Sequence, residues 1–149
     1  FFVNKKIEIK LIEKLLNNKV EENFNSIKDT VIIGNKKTAN KLLASTIFDK
    51  DKIPLYINVI NQRLNKLKDL IELSNKRNIE QTINEIKPPI FWKDKPVVLE
   101  QIKSWTSHKL IVALKKTYEL EVKIKSNTEI NKDILIKKLL LDICLIANA

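Results

Sequence analysis

Glycine occurs once in this 149-residue chain, methionine never, cysteine and histidine once each, and arginine at Arg63 and Arg77 alone. Each scarcity removes a class of protein. One glycine cannot build the phosphate-cradling loop G-x-x-x-x-G-K, nor the tight turns on which hairpins depend. One cysteine forms no internal disulfide, and Cys144 lies in the apolar run KKLLLDICLIA, so it reads as a core residue in a reduced compartment, most simply the cytosol. His108 and Cys144 together make no metal-ligand set. His108 also stands beside a predicted helix N-terminus, where an imidazolium is disfavoured, and reads as an ordinary, partly exposed side chain. No apolar run reaches the roughly 18 to 20 residues of a bilayer span, and no signal peptide opens the chain, so a soluble chain with no membrane partner is expected. A sequence without methionine that starts Phe-Phe is expected to be a fragment of a longer product.

What is present is 44% hydrophobic residues, enough to bury a core in one domain, and a net charge of +10. A basic surplus of that size suggests a polyanionic partner such as nucleic acid. Nearly all of it is lysine, however, and the accompanying abundance of Asn and Ile has the look of AT-rich coding bias, whereas arginine is the usual fork for bases and phosphates. The carboxylates lie mainly on polar faces beside lysines and read as solvated surface. No catalytic residue, metal or cofactor is expected of this segment; a helical enzyme using Glu121 and His108 is the remotest reading.

Periodicity predicts an all-α chain: a bundle of about five to six helices preceded by one or two more. Residues 5–17 place Ile9, Ile12, Leu15 and Leu16 at helical intervals, and a polar stretch follows. Asn25 or Ser26 then caps a short helix ending at Gly34, the one residue suited to a left-handed C-cap. Ala39, Leu42, Leu43, Thr46 and Ile47 form the inner face of the next helix. The strongest signal is Ile53, Ile57, Ile60, Leu64, Leu67 and Ile71, alternating steps of four and three over about five turns, with Pro54 in the first turn and Tyr56, Val59 and Leu70 widening the seam. Ile79, Ile83 and Ile86 line a short helix that Pro88 and Pro89 stop. Asp94 caps a helix with Pro96 in its first turn and Val98, Ile102 and Trp105 inward. Thr106 or Ser107 caps the next, with a stripe of Leu110 or Ile111, Leu114, Tyr118 and Val122. The last helix, ILIKKLLLDICLIANA, contributes Leu139 and Ile143 and is expected to be wholly buried.

The stretch IKPPIFWKDKP holds three of the four prolines and sets Phe91 beside Trp92 among lysines. Two readings stand. In one, Phe91 plugs the gap between flanking helices and Trp92 covers it. In the other, Phe91 is the plug while Trp92, with Lys93 and Lys95, offers a stacking face to an unpaired base and cations to its phosphates.

Four landmarks in order carry a resemblance: IIGNKKTANKLL, IPLYINVINQRLNKL, IKPPIFWKDK, and LEQIKSWTSHKLIVALKKTYELEVKIKSN with Glu121 and Lys125 four apart. Over about residues 30 to 147 the chain resembles the C-terminal part of the delta subunit of the bacterial DNA polymerase III clamp loader. Asn35 stands where that family usually has Asp, and the long helix carries Asn and Gln at positions often basic there, leaving Arg63. The resemblance implies that residues 1–33 end a small AAA+-like lid domain and that residues 34–149 form a helical collar domain. The collar would hold delta to the gamma or tau and delta-prime subunits in a cytoplasmic complex acting in DNA replication. The sliding clamp would be opened by an N-terminal domain outside this chain, within a holoenzyme of nucleotidyltransferase activity. It also implies that the aromatic at the proline break faces primer-template DNA, which makes Trp92, Lys93 and Lys95 the candidate DNA contacts and leaves Phe91 in the core. The alternative is a free-standing basic helical domain that binds nucleic acid.

Overall fold

The computed structural model describes residues 2–126 and 129–149, and along the first helix the side chains of residues 8, 10–12 and 22 onward. Seven α-helices and no strand occur among them: α1 (Phe2–Ile33), α2 (Lys36–Ser45), α3 (Ile53–Ser74), α4 (Ile79–Glu85), α5 (Lys95–Ile102), α6 (Ser107–Ser126) and α7 (Lys132–Asn148), with one 3-10 turn at Lys50–Lys52. The fold is all-α.

The first correction concerns α1, which is one continuous helix and not two. No glycine or proline interrupts residues 2–33, and the polar residues that suggested a cap, Glu22, Asn23, Asn25 and Ser26, face solvent on a helix whose other side is apolar. Ile12 is exposed; Ile9, Leu15 and Leu16 lie outside the described side chains. Phe24, Ile27, Val31 and Ile32 are buried in the same core as α3 and α7. Gly34 ends the helix at φ 90. Its N–H donates to Val31 O at 3.0 Å and that of Asn35 to Thr30 O at 3.3 Å, the paired closure of a Schellman motif. Asn35 then starts α2, accepting from the Thr38 amide at 3.2 Å. The remaining carbonyls at the end of α1 are satisfied from the far end of α5: Trp105 Nε1 donates to Ile32 O at 2.7 Å and Ser104 Oγ to Ile33 O at 3.2 Å.

α2 buries Ala39 and Leu43 but stops before Ile47, which is 90% exposed against expectation. Thr46 is already extended, so successive side chains alternate and Phe48 turns inward in its place. There it meets Phe24 and Tyr56 edge-on, with the latter two rings stacked at 4.2 Å. Asp133 at the start of α7 accepts the Phe48 amide at 2.9 Å and holds this corner to the body.

α3 is the axis. Ile53, Tyr56, Ile57, Ile60, Leu64, Leu67 and Leu70 are all buried, with Pro54 in the first turn, and α4, α5, α6 and α7 pack around it. Leu139, Ile143 and Trp105 are buried as expected, and Leu114 is half-buried against the core. Two further expectations fail. The inner face of α6 is Leu110, Ala113, Thr117, Leu120 and Ile124, while Ile111, Tyr118 and Val122 point outward. Small residues at 113 and 117 let α6 approach α3 closely, so the contact selects Ala and Thr over the larger side chains nearby. And α7 is not wholly buried, since Ile134 and Leu145 are exposed on its outer side.

Candidate nucleic-acid interface

The break between α4 and α5 begins where Ile86 leaves the helix into extended backbone. The Lys87–Pro88 peptide is cis. Lys66 on α3 donates to Pro88 O at 2.8 Å, which ties the loop to the axis helix. A turn closed by Asp94 N donating to Phe91 O at 2.9 Å then leads into α5, with Pro96 in its first turn.

The gap that Phe91 was expected to plug is filled by Ile83, Ile86 and Val98, with Ile90 partly buried against them. Phe91 is 58% exposed and Trp92 67%. The turn at 91–94 sets both rings on the outside, with centroids 5.9 Å apart and planes tilted by 51°. Phe91 is therefore corrected from core residue to surface aromatic. Lys93 Nζ lies 5.4 Å from the Trp92 ring centroid, within cation–π range. Lys95 is held sideways, its ammonium donating to Asn84 Oδ1 at 2.9 Å. Of the three candidate contacts, Trp92 and Lys93 stand together and exposed, and Lys95 is engaged within the fold.

Beneath the tip lies a polar network that the sequence reading did not find. Arg63 on α3 donates to Gln101 Oε1 at 2.8 Å and to Asp29 Oδ1 at 3.3 Å, and its second terminal nitrogen is 3.9 Å from Asp94 Oδ2. Gln101, fully buried on α5, returns its amide to Asp29 O at 3.3 Å. Asp94 heads α5 as expected but makes no side-chain cap bond; its carboxylate turns to Arg63 instead. Lys28, next to Asp29, is also buried. Its ammonium donates to Asn25 Oδ1 at 3.2 Å, and burial, reinforced by nearby Arg63, pushes its pKa down while Asp29 and Asp94 pull it up. The sequence signal for Gln101 was available, because it falls between Val98 and Trp105 on the apolar seam of α5, and a polar residue there needs buried partners.

Lys28, Arg63 and Lys66 open onto a cleft of about 370 Å³ whose other walls include Val59, Ile90 and Phe91. A larger hollow of about 600 Å³ lies between α4 and the end of α3. There Asp69, Glu72 and Glu85 balance Lys76, Arg77 and Lys87, with Arg77 paired to Glu85 at 2.6 Å.

Elsewhere, Glu121 and His108 are thirteen residues apart on α6, about 20 Å along the axis at the helical rise, and do not meet. Glu121 accepts from Asn61 Nδ2 at 3.5 Å. Cys144 is buried, and burial raises its thiol pKa against the pull of Lys36, so it is a poor nucleophile. Among the described residues no group of His, Cys, Asp and Glu could hold a metal, and no helix is long and apolar enough to cross a membrane. Comparison with protein-family models, curated proteins and solved structures finds no match to this chain.

Proposed function

We propose that this chain is an assembly module, the collar part of a delta-type subunit of a bacterial DNA polymerase III clamp loader, working in the cytosol during DNA replication. The observation that carries it is the outer face of α6, where Ile111, Tyr118 and Val122 lie exposed although the core beneath is filled. They fall within about 20° of one line along the helix, so they form a row and not a scatter. A row of large apolar side chains on a folded body marks a protein-binding face. The four sequence landmarks supply the identity of the partners: the gamma or tau and delta-prime subunits. On this reading the sliding clamp is handled by a domain outside the chain, and residues 1–33 end the domain that precedes the collar.

Trp92 with Lys93 is the candidate contact to primer-template DNA, supported by an exposed ring beside an exposed cation. Trp92→Ala should weaken primer-template binding or loading by the whole complex by about 1 to 3 kcal/mol, with the melting temperature of the chain unchanged. A large fall in melting temperature would show that the ring serves the fold.

The deciding experiment is size-exclusion chromatography of the chain with gamma and delta-prime subunits, alongside DNA titration at several salt concentrations. Co-elution with weak DNA binding supports the collar reading. Tight, steeply salt-dependent DNA binding without co-elution would make it a free-standing nucleic-acid-binding domain.

A further inference from the structure

The hollow beside α4 and the cleft under the proline break differ in charge. The larger is neutral, whereas the cleft under the proline break sets three cations against one lining carboxylate, Asp94. Lys28 and Arg63 form its inner end, and Lys66 lies one turn beyond Arg63 on the same face of α3. Asp29 takes a guanidinium nitrogen of Arg63 from behind at 3.3 Å, while Asp94 reaches the other only to 3.9 Å. The Lys28 ammonium meets the amide oxygen of Asn25 at 3.2 Å and the Asp29 carboxylate at 3.6 Å, neither the short charge-assisted contact that a buried cation makes when fully matched. Burial and Arg63 both oppose its charge. A buried cation in that position gains most when an anion arrives.

The lining therefore has three cations and one carboxylate, and Asp29 behind Arg63 and Lys28 brings the cluster's surplus to one positive charge. A terminal phosphate offers three acceptor oxygens, one for each cation, whereas a carboxylate or a phosphodiester offers two unbridged oxygens. The opposite wall is apolar, with Val59, Ile90 and the exposed ring of Phe91 at the rim, and about 370 Å³ is at the small end of the range for ligand sites. We infer that this cleft binds a terminal phosphate monoester of a nucleotide or of a nucleic-acid strand. The phosphate sits on Lys28, Arg63 and Lys66, and the attached nucleoside lies along Val59, Ile90 and Phe91. The site belongs to this chain alone and does not rest on the partners proposed above.

Calorimetric titration of the chain with four probes tests it: thymidine, thymidine 5′-monophosphate, and a short single-stranded oligothymidylate with either a 5′-hydroxyl or a 5′-phosphate. At least one phosphorylated probe should bind about tenfold or more tighter than its unphosphorylated counterpart, the scale of one good charge-assisted contact. A preference seen with the mononucleotide points to a free nucleotide as the source; one seen only with the oligonucleotide points to a strand end. Lys28→Met and Lys66→Met should each abolish the preference. If Lys28→Met does not fold, Lys66→Met decides alone, since Lys66 contacts a loop carbonyl and not the core. Equal affinity for phosphorylated and hydroxyl probes, or a preference retained by folded Lys66→Met, overturns the inference.

Discussion

α3 and α6 lie against one another and are of similar length, 22 and 20 residues, yet they treat their apolar residues differently. α3 hides its whole central seam, and its two exposed leucines, Leu55 and Leu73, sit near its ends. α6 hides a modest face of Leu110, Ala113, Thr117, Leu120 and Ile124 and carries a second, larger-membered row outside. The difference follows from position. α3 has α4, α5, α6 and α7 packed against it, so the apolar residues along its middle find partners within the chain while Asn58, Gln62, Asn65 and Asp69 take its solvent side. α6 forms an outer wall and can satisfy one face only. Isolated exposed apolar residues are ordinary, but each member of an aligned row, already about half-buried, would gain roughly half of the 1.5 to 3 kcal/mol of a full burial if covered. The inner helix explains how the chain folds, and the outer one leaves an apolar row uncovered.

The comparison can be broken most severely at α3. Ile60→Asp places a carboxylate at a fully buried point of the axis, among apolar neighbours of the core. The penalty, more than about 4 kcal/mol, approaches the whole stability of a domain this size, so the chain should lose its cooperative thermal transition by circular dichroism. A folded variant would mean that α3 is not the interior axis. The inner face of α6 should respond less: Leu110→Ala leaves a cavity at a fully buried site and should cost about 2 to 4 kcal/mol in chemical denaturation.

How much of this was visible beforehand depended on the length of the pattern. The α3 seam repeats over five turns, and so many agreeing positions leave one orientation open to the helix. α6 was misread by rotation, because large residues were placed inward whereas close contact with α3 wanted the small side chains of Ala113 and Thr117. Phe91 was misplaced for a related reason: its size suggested burial, but the turn closed by Asp94 N to Phe91 O decides where the ring points. The Arg63 network was legible only in part, at Gln101. Asp29 and Arg63 come from helices other than the α5 segment that carries Asp94 and Gln101, and only the packing of α1, α3 and α5 brings the four together. Gly34, by contrast, was legible from one residue, since no other position offered an unstrained left-handed helix end.

The smallest effect on folding should come from the outer row, and that is where the comparison is sharpest. Tyr118 is 65% exposed, so Tyr118→Ser removes little buried area and should change the free energy of unfolding by no more than about 0.5 kcal/mol. The same substitution should weaken association with a protein partner by about 2 kcal/mol or more, because a tyrosine at the centre of an apolar row is the kind of side chain that dominates an interface. Measuring both quantities on one variant separates the two roles of α6. A Tyr118→Ser chain that melts normally yet, unlike the unsubstituted chain, fails to co-elute with the proposed gamma and delta-prime partners assigns the outer row to assembly. One that melts normally and still co-elutes moves the docking surface elsewhere, with the exposed Ile134 and Leu145 on the outer side of α7 as the next place to substitute.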